Sequence, residues 1–205
     1  MSRVKVVLAT SNPGKLREIK NYFKGLPLEF LSLEDIGVKG EVEEKGKTFF
    51  ENARHKSLIY SAKSEYLTLA EDSGLRVQHL GGAPGIYSAR FSDPGATDEK
   101  NIRKVLRLMK GVPWEGRGAR FVCRLVLSKR GRILKEMKGE VRGRIAFLKK
   151  GDRGFGYDPV FYYAPFRRTF GELDPEKKNS VSHRGRALRQ MRAFVASYLA
   201  VRPDF

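Results

Sequence analysis

The sequence lacks several features that would place a protein in a narrow class. Its one cysteine, Cys123, cannot form an internal disulfide, so a reducing cytoplasm is the expected location. No apolar run approaches the ~20 residues of a membrane span, and the run after the basic N-terminus is too short for a signal peptide. Zinc-site spacing of Cys and His is absent, as are G-x-S-x-G and Cys–His nucleophile arrangements. Cys123 itself lies in an alternating strand pattern and is expected to be a small core residue.

Acidic residues are few relative to basic ones. The chain has 23 Asp and Glu against 41 Lys and Arg, a net charge of +18, which favours anionic partners such as nucleotides or nucleic acid. The basic residues are spread along the chain, so a charge-rich solvated surface is the favoured alternative. A non-catalytic nucleic-acid-binding module would interleave aromatic and basic residues on a sheet face. Because the aromatics are largely explained as core or pocket residues, nucleic-acid binding is possible but not favoured.

Apolar periodicity predicts helices and strands that alternate at both ends of the chain, with a strand-rich middle. The predicted strands are residues 4–9, 29–33, 66–70, 119–128, 132–141, 144–148 and 160–163. Helices are predicted to begin after Ser11 or Asn12, Thr48, Thr97 and Ser182. With 205 residues and 40% hydrophobic content, this order indicates an α/β fold with a long twisted sheet. We expect a single domain, residues 1–205, with two lobes around a cleft.

A phosphate-binding loop is a candidate function for Thr10-Ser11-Asn12-Pro13-Gly14-Lys15, which joins an apolar strand to a helical pattern. Backbone N–H groups and the positive end of a helix suit phosphate, and Lys15 adds a full charge. The glycine spacing is not that of a Walker motif. The alternative is an ordinary capped helix start, which alone is the more frequent case.

Two groups of acidic residues are candidate ligands for Mg²⁺. Glu41, Glu43 and Glu44 precede Gly46, and a solvated loop is the favoured alternative for them. Glu71-Asp72 follows an apolar run, so both acids are expected at a strand end, where open α/β folds bind their ligands. Oxygen ligands of this kind suit Mg²⁺, and crowded carboxylates raise one pKa, which makes a plausible general base.

The third candidate group combines Gly154-Phe155-Gly156-Tyr157-Asp158-Pro159 with Ser182-His183-Arg184-Gly185. Aromatic rings can stack on a flat base, an acid can bind the edge of the base, and Arg184 can bind a phosphate or a base carbonyl. The alternative for His183 and Arg184 is a surface position at a helix start. Together with the acids and the first loop, these residues predict a nucleotide pocket.

The same segments, in the same order, resemble the inosine triphosphate pyrophosphatase family, also described as XTP/dITP diphosphatases. The resemblance runs nearly end to end and rests on five groups of residues. They are Leu8–Lys15, Thr48–Lys56, Ala70–Leu75 with Gly81–Phe91, Gly154–Pro159 and Ser182–Gly185. Glu71 stands where many members of the family have Asp.

This resemblance implies an elongated α/β fold, a twisted mixed sheet flanked by helices, two lobes around a central nucleotide cleft, and usually a homodimer. It implies Mg²⁺-dependent hydrolysis of ITP, dITP and XTP to the monophosphate and pyrophosphate. The implied metal ligands are Glu43 and Asp72, and the implied catalytic residues are Asp72, the usual proton acceptor, with Glu71 and Lys15. The implied substrate-binding residues are Thr10, Ser11, Asn12, Pro13, Gly14, Lys15, Ser73, Phe155, Gly156, Tyr157, Asp158, Lys178, His183 and Arg184.

Overall fold

The computed structural model describes residues 3–38 and 42–201, which form a seven-stranded mixed sheet with flanking helices. Glu41, named above among the acids before Gly46, lies outside the described residues. The strands are β1 (Val4–Ala9), β2 (Leu28–Leu31), β3 (Leu67–Val77), β4 (Gly118–Lys129), β5 (Arg132–Ile145), β6 (Phe161–Tyr163) and β7 (Arg168–Thr169). The helices are α1 (Pro13–Phe23), α2 (Phe49–Ser61), α3 (Asp98–Leu108), α4 (Pro175–Val181) and α5 (His183–Ala200). The predicted α/β class is confirmed.

The sheet order β2-β1-β3-β4-β5-β6-β7 combines a parallel and an antiparallel part. β1 pairs in parallel with β2 and β3, whereas β6 pairs antiparallel with β5 and β7. The predicted hairpin between β4 and β5 is confirmed. Its turn residues Arg130 and Gly131 have φ angles of 49° and 70°, the left-handed conformation that two-residue hairpin turns require.

The prediction that Glu71 and Asp72 follow the end of a strand is wrong. β3 was expected over residues 66–70, but it continues to Val77 and contains both acids. The parallel partner β1 ends at Ala9, opposite Ala70, while β4 remains a neighbour of β3. The two acids therefore lie where β3 loses one neighbouring strand, and that position leaves their side chains near the loop after β1.

Other boundaries also differ from the sequence prediction. The separate strand predicted at 144–148 is partly the end of β5, because Gly143 does not interrupt that strand. A Cβ at Gly143 would lie 2.6 Å from the Phe161 ring, so glycine is required by close packing rather than by a turn. Helix α2 buries Phe49 rather than the predicted Phe50. β7 and α4 were not predicted.

The chain divides into two compact units, and each has its own core. Unit 1 contains the described residues up to Asp72, with Cys123–Lys138 and the chain from Gly185; its largest core cluster includes Ile19, Leu125, Leu188 and Met191. Unit 2 contains Ser73–Val122 and Gly139–Arg184. Cys123 is fully buried, as predicted. Among the described residues, no helix is both long and apolar enough to cross a bilayer.

Candidate active site

The predicted site residues fall into two groups, one in each unit. In unit 1, the loop after β1 turns directly into α1. Asn12 is the N-cap: its Oδ1 accepts a hydrogen bond from Lys15 N at 3.0 Å, and its own N–H donates to Thr10 Oγ1 at 3.2 Å. Pro13 occupies the first turn, where its missing N–H costs nothing. Ser11, the other predicted cap, is exposed in this loop.

Lys15 connects this loop to the acids of β3. Its Nζ lies 3.4 Å from Glu71 Oε1, and the Lys15 side chain is 16% exposed while that of Glu71 is 1% exposed. The sequence separation is large, but β1 and β3 are adjacent parallel strands, so the loop after β1 lies beside the acids of β3. The phosphate-loop candidate and the acidic candidate thus form one cluster in unit 1.

Asp72 is the buried acid in this cluster with a raised pKa. Burial raises the pKa of Asp72 from 3.8 to about 6, and the Glu44 carboxylate adds to the increase. Lys56, Lys15 and a hydrogen bond from Asn52 act in the opposite direction but do not outweigh burial. A carboxyl group with this pKa is largely ionised at neutral pH and can take up a proton, which is the property of a general base.

Asn52, on α2, positions Asp72 and was not predicted as a site residue. Its Nδ2 donates to Asp72 Oδ2 at 2.9 Å, and its Oδ1 accepts from Gly46 N at 2.8 Å. A Cβ at Gly46 would lie 2.5 Å from Asn52 Oδ1, so only glycine allows this approach. The available sequence signal was a polar residue on the buried face of α2, at helical spacing from Phe49 and Lys56.

Glu44, rather than Glu43, has its side chain beside Asp72. The Glu43 side chain is 76% exposed and pairs with Lys45 at 3.0 Å. Glu44 Oε1 lies 2.5 Å from Lys56 Nζ and acts on the pKa of Asp72. Burial alone would lower the pKa of Lys56, but the charges of Glu44, Asp72 and Glu71 raise it on balance, so its ammonium form persists.

The segment around Glu44 has no regular secondary structure, and α2 holds it in place. Val42 N donates to Tyr60 Oη at 2.8 Å, and Gly46 N donates to Asn52 Oδ1. Burial alternates along residues 42–46, with Val42, Glu44 and Gly46 more buried than Glu43 and Lys45. This period of two is typical of extended chain, and the position of Glu44 two residues after the apolar Val42 is the sequence signal that could have selected it.

In unit 2, the second group of predicted site residues begins with the tight turn from Gly154 to Asp158. Gly154 and Gly156 have φ angles of 78° and 59°, and a Cβ at Gly154 would clash with the Asp158 carboxylate. Asp158 Oδ2 accepts hydrogen bonds from Phe155 N at 2.9 Å and from Lys178 Nζ at 2.6 Å. The Asp158 and Lys178 side chains are 3% and 4% exposed, so this ion pair is buried.

Two cations lie against the half-buried ring of Phe155. Lys178 Nζ is 4.7 Å from the ring centroid, and Arg184 Cζ is 5.1 Å from it. Arg184 is 2% exposed, and its Nη2 donates to Ser73 Oγ at 3.0 Å. Five predicted residues, Ser73, Phe155, Asp158, Lys178 and Arg184, are therefore in one connected cluster.

His183 and Tyr157 have structural contacts in the same unit. The His183 ring stacks on Phe121, with 4.6 Å between centroids and 11° between planes. Tyr157 is 4% exposed within the core, and its hydroxyl donates to Ser88 O at 2.8 Å. Burial and the charge of Asp98 raise the pKa of Tyr157. Gly156 is held by the same acid, because its N–H donates to Asp98 Oδ2 at 2.6 Å. A role of Tyr157 in binding a base stays a prediction.

The fold and these clusters define an α/β protein with a buried general-base candidate, a helix start suited to anions and an aromatic–cation cluster. The Ham1 family model matches residues 6–194, so the chain belongs to the Ham1 family. It is 42% identical over 196 residues to the "dITP/XTP pyrophosphatase" of Thermoanaerobacter pseudethanolicus, covering 96% of this chain and 98% of that one. The Geobacter sulfurreducens protein of the same name is 47% identical over 184 residues, covering 90% and 92%.

Solved structures agree with this assignment. A Ham1 protein from Coxiella burnetii has a TM-score of 0.87 with 36% identity, covering 95% of this chain and 99% of that one. The Staphylococcus aureus Ham1 protein has a TM-score of 0.85 with 37% identity at the same coverage. The predicted resemblance to this family of pyrophosphatases is thereby confirmed.

Proposed function

We propose that the protein is a nucleoside-triphosphate pyrophosphatase that hydrolyses the non-standard purine nucleotides dITP, XTP and ITP. The products would be the nucleoside monophosphate and pyrophosphate, and the reaction would remove such nucleotides from the cellular pool. The names of the relatives that match over nearly the whole chain support this proposal. The observation that carries it is the buried Asp72 carboxyl, with a pKa of about 6, in one cluster with Lys15 and the start of α1.

We propose Mg²⁺ as the cofactor, because the donor set fits this ion. Mg²⁺ usually takes one or two carboxylates and completes its coordination with waters and substrate phosphates. Asp72 and Glu44 supply two carboxylates whose charges interact, and Glu43, the ligand implied by the resemblance, is the alternative. Within the described residues there is no group of three His, Cys, Asp or Glu side chains for an all-protein site. When bound, the ion would neutralise charge on the phosphates.

The side chains of unit 1 suit attack by water on the α-phosphorus. The water oxygen would form a bond to that phosphorus, the bond to the oxygen bridging to the β-phosphate would break, and pyrophosphate would leave in line. Asp72 would accept the proton that the water loses. Lys15 and the positive end of the α1 dipole would hold the phosphate oxygens, because both favour negative charge.

The cluster of unit 2 suits the base. The partly exposed Phe155 ring provides a flat surface for stacking, and Arg184 or His183 would donate to the 6-oxo group of hypoxanthine or xanthine. Adenine has an amino donor at that position, so the protein donor would remain unpaired. A buried donor without its partner costs about 1–3 kcal/mol, which gives a basis for discrimination against adenine.

A substrate panel tests this function. dITP, XTP, ITP, GTP and ATP are incubated with enzyme and Mg²⁺, and pyrophosphate and orthophosphate are measured separately. We expect pyrophosphate from dITP, XTP and ITP at rates far above that for ATP, while GTP, whose guanine also has a 6-oxo group, tests discrimination beyond that group. Sequential release of orthophosphate, or equal rates with ATP, would contradict the proposal. Omission of Mg²⁺, with EDTA present, tests the cofactor in the same assay.

We further propose a cytoplasmic homodimer. The family resemblance supports the dimer, and the single, buried Cys123 is compatible with a reducing compartment. Light scattering on the purified protein would test the dimer, because the expected mass is twice the 23.3 kDa of one chain. A mass equal to that of one chain at micromolar concentration would contradict it.

A further inference from the structure

A groove of about 460 Å³ opens on unit 2, and none of the predicted site residues lines it. Three strands and one loop form its walls. Arg76 lies on β3, Arg120 on β4 and Arg142 on β5. Gln78 directly follows β3, and Gly81 and Gly82 belong to the loop after it. We call Arg76, Arg120 and Arg142 the basic face. None of the sequence motifs described above requires these three cations.

The basic face is the outer side of the sheet in this unit. Side chains alternate between the two faces of a strand. On β3, Leu75 and Val77 are fully buried in the core of unit 2, and Arg76 between them is exposed. Phe121 and Val141 are likewise buried beside the exposed Arg120 and Arg142. Because β3, β4 and β5 are neighbours about 4.8 Å apart, the three arginines span about 10 Å.

The charge on this face is poorly compensated. Arg120 Nη1 lies 3.7 Å from Glu140 Oε2, and both side chains are substantially exposed. Among the residues that the structure describes, the Arg76 and Arg142 guanidinium groups have no acidic partner. Like charges on adjacent strands destabilise a sheet, and a row of ligand phosphates would remove that repulsion.

Aromatic side chains border the basic face. Arg144 is two residues beyond Arg142 on β5, hence on the same side and about 6.8 Å further along the strand. It pairs across the sheet with Tyr162, and its guanidinium lies 5.2 Å from the Trp114 ring. Trp114 also contacts the rings of Tyr162 at 5.1 Å and Phe147 at 5.7 Å, and Phe147 is 58% exposed. We call Trp114, Phe147 and Tyr162 the aromatic border.

We propose that the basic face and the aromatic border bind single-stranded nucleic acid. The arginines bind successive backbone phosphates, and the aromatic border contacts unpaired bases, which is how sequence-tolerant single-strand sites are built. A free mononucleotide fits the observations less well, because the residues lining the groove include no aromatic ring and the cations extend across three strands. This site is separate from the proposed hydrolysis, so the enzyme would associate with RNA or DNA strands while remaining active on free nucleotides.

Fluorescence anisotropy with labelled RNA and DNA strands of about 12 nucleotides tests this site. Three phosphate contacts on a single strand predict a slope of log K against log salt of about −2, or about 20-fold weaker binding between roughly 50 and 200 mM salt. The double variant Arg76→Ala/Arg142→Ala should leave a slope of about −0.7, or about threefold. Arg76→Lys/Arg142→Lys should restore most of the salt dependence, and dITP hydrolysis should match wild type in both.

The matched control is Arg107→Ala/Arg132→Ala, which removes two exposed arginines outside the groove. Binding as in wild type by this control supports the site, whereas an equal loss in both double variants would show that only the net charge attracts the strand. Displacement of the strand by tripolyphosphate at equal phosphate concentration would also overturn the proposal. Absence of strand binding by wild type would overturn it as well. If Arg76→Ala/Arg142→Ala then changes the oligomeric mass, the basic face joins two copies of the chain.

Discussion

Replacing Asp72 by asparagine should stabilise the protein while it removes activity. The folded state holds the pKa of Asp72 at about 6, against 3.8 for an exposed Asp, because the carboxyl is buried. A raised carboxyl pKa means that the folded state binds the proton more tightly than the unfolded state. Stability is therefore lost as the pH rises from about 4 through 6. At pH 8 the difference between a pKa of about 6 in the folded state and 3.8 in the unfolded state corresponds to about 3 kcal/mol.

The amide introduced by Asp72→Asn carries no charge at any of these pH values, so the penalty disappears, and Asn52 can still donate to the amide oxygen. We expect urea unfolding in EDTA to show Asp72→Asn about 3 kcal/mol more stable than wild type at pH 8. At pH 4 the difference should fall to about 0.5 kcal/mol, because the folded-state carboxyl is then protonated and the unfolded-state carboxyl about half protonated. Turnover of dITP should fall by at least about 100-fold, the contribution of a general base.

Asp35→Asn provides a control of opposite sign. Hydrogen bonds from the Ser32 backbone N–H and hydroxyl lower the pKa of Asp35, so its carboxylate stabilises the fold above its unfolded pKa. That variant should lose stability at pH 8 and lose little at low pH. If Asp72→Asn is no more stable than wild type at pH 8, or if its advantage is equal at pH 4, burial of this carboxyl does not carry the energy assigned to it.

Three further predictions concern the two clusters. Lys15→Ala should lower kcat/KM for all triphosphates by a similar factor, whereas Arg184→Ala should reduce the preference for ITP over ATP. The reverse result would assign Lys15 to the base and Arg184 to the phosphates. Glu44→Gln should raise the Mg²⁺ concentration for half-maximal rate more than Glu43→Gln does, because only Glu44 lies beside Asp72, and equal shifts would contradict that reasoning. Gly154→Ala should lower thermal stability and kcat/KM together, because its Cβ would clash with Asp158 in a left-handed backbone; unchanged melting would refute this.

Local signals predicted the elements whose boundaries depend on local interactions. Asn12 and Pro13 define the start of α1, Thr48 that of α2 and Thr97 that of α3, because each cap binds a backbone N–H within its own first turn. The end of β3 could not be predicted in this way. Whether a strand continues beyond Ala70 depends on which neighbours it has, and those neighbours are distant in sequence.

The candidate site shows the same difference between residues found from local signals and residues defined by contacts distant in sequence. Lys15, Asp72 and Arg184 were selected from motifs, and each takes part in one of the two clusters. Asn52 and Lys56 were missed because their helical spacing from Phe49 indicates the buried face of α2 but not which side chains that face contacts. Glu43 was named as a metal ligand by resemblance alone, and that role stays a prediction. The structure has the Glu44 side chain beside Asp72, because the side chains of neighbouring residues in extended chain point to opposite sides.

The segment that carries Glu44 has a consequence for hydrogen exchange. Two of its amides, four residues apart, donate to side chains of α2 rather than to a strand: Val42 N–H to Tyr60 Oη and Gly46 N–H to Asn52 Oδ1. Side chains of a helix thus accept hydrogen bonds that a neighbouring strand would accept in a sheet. The amide protons of Val42 and Gly46 should exchange slowly, at rates tied to the unfolding of α2, while those of Glu43 and Lys45 exchange as in an open loop.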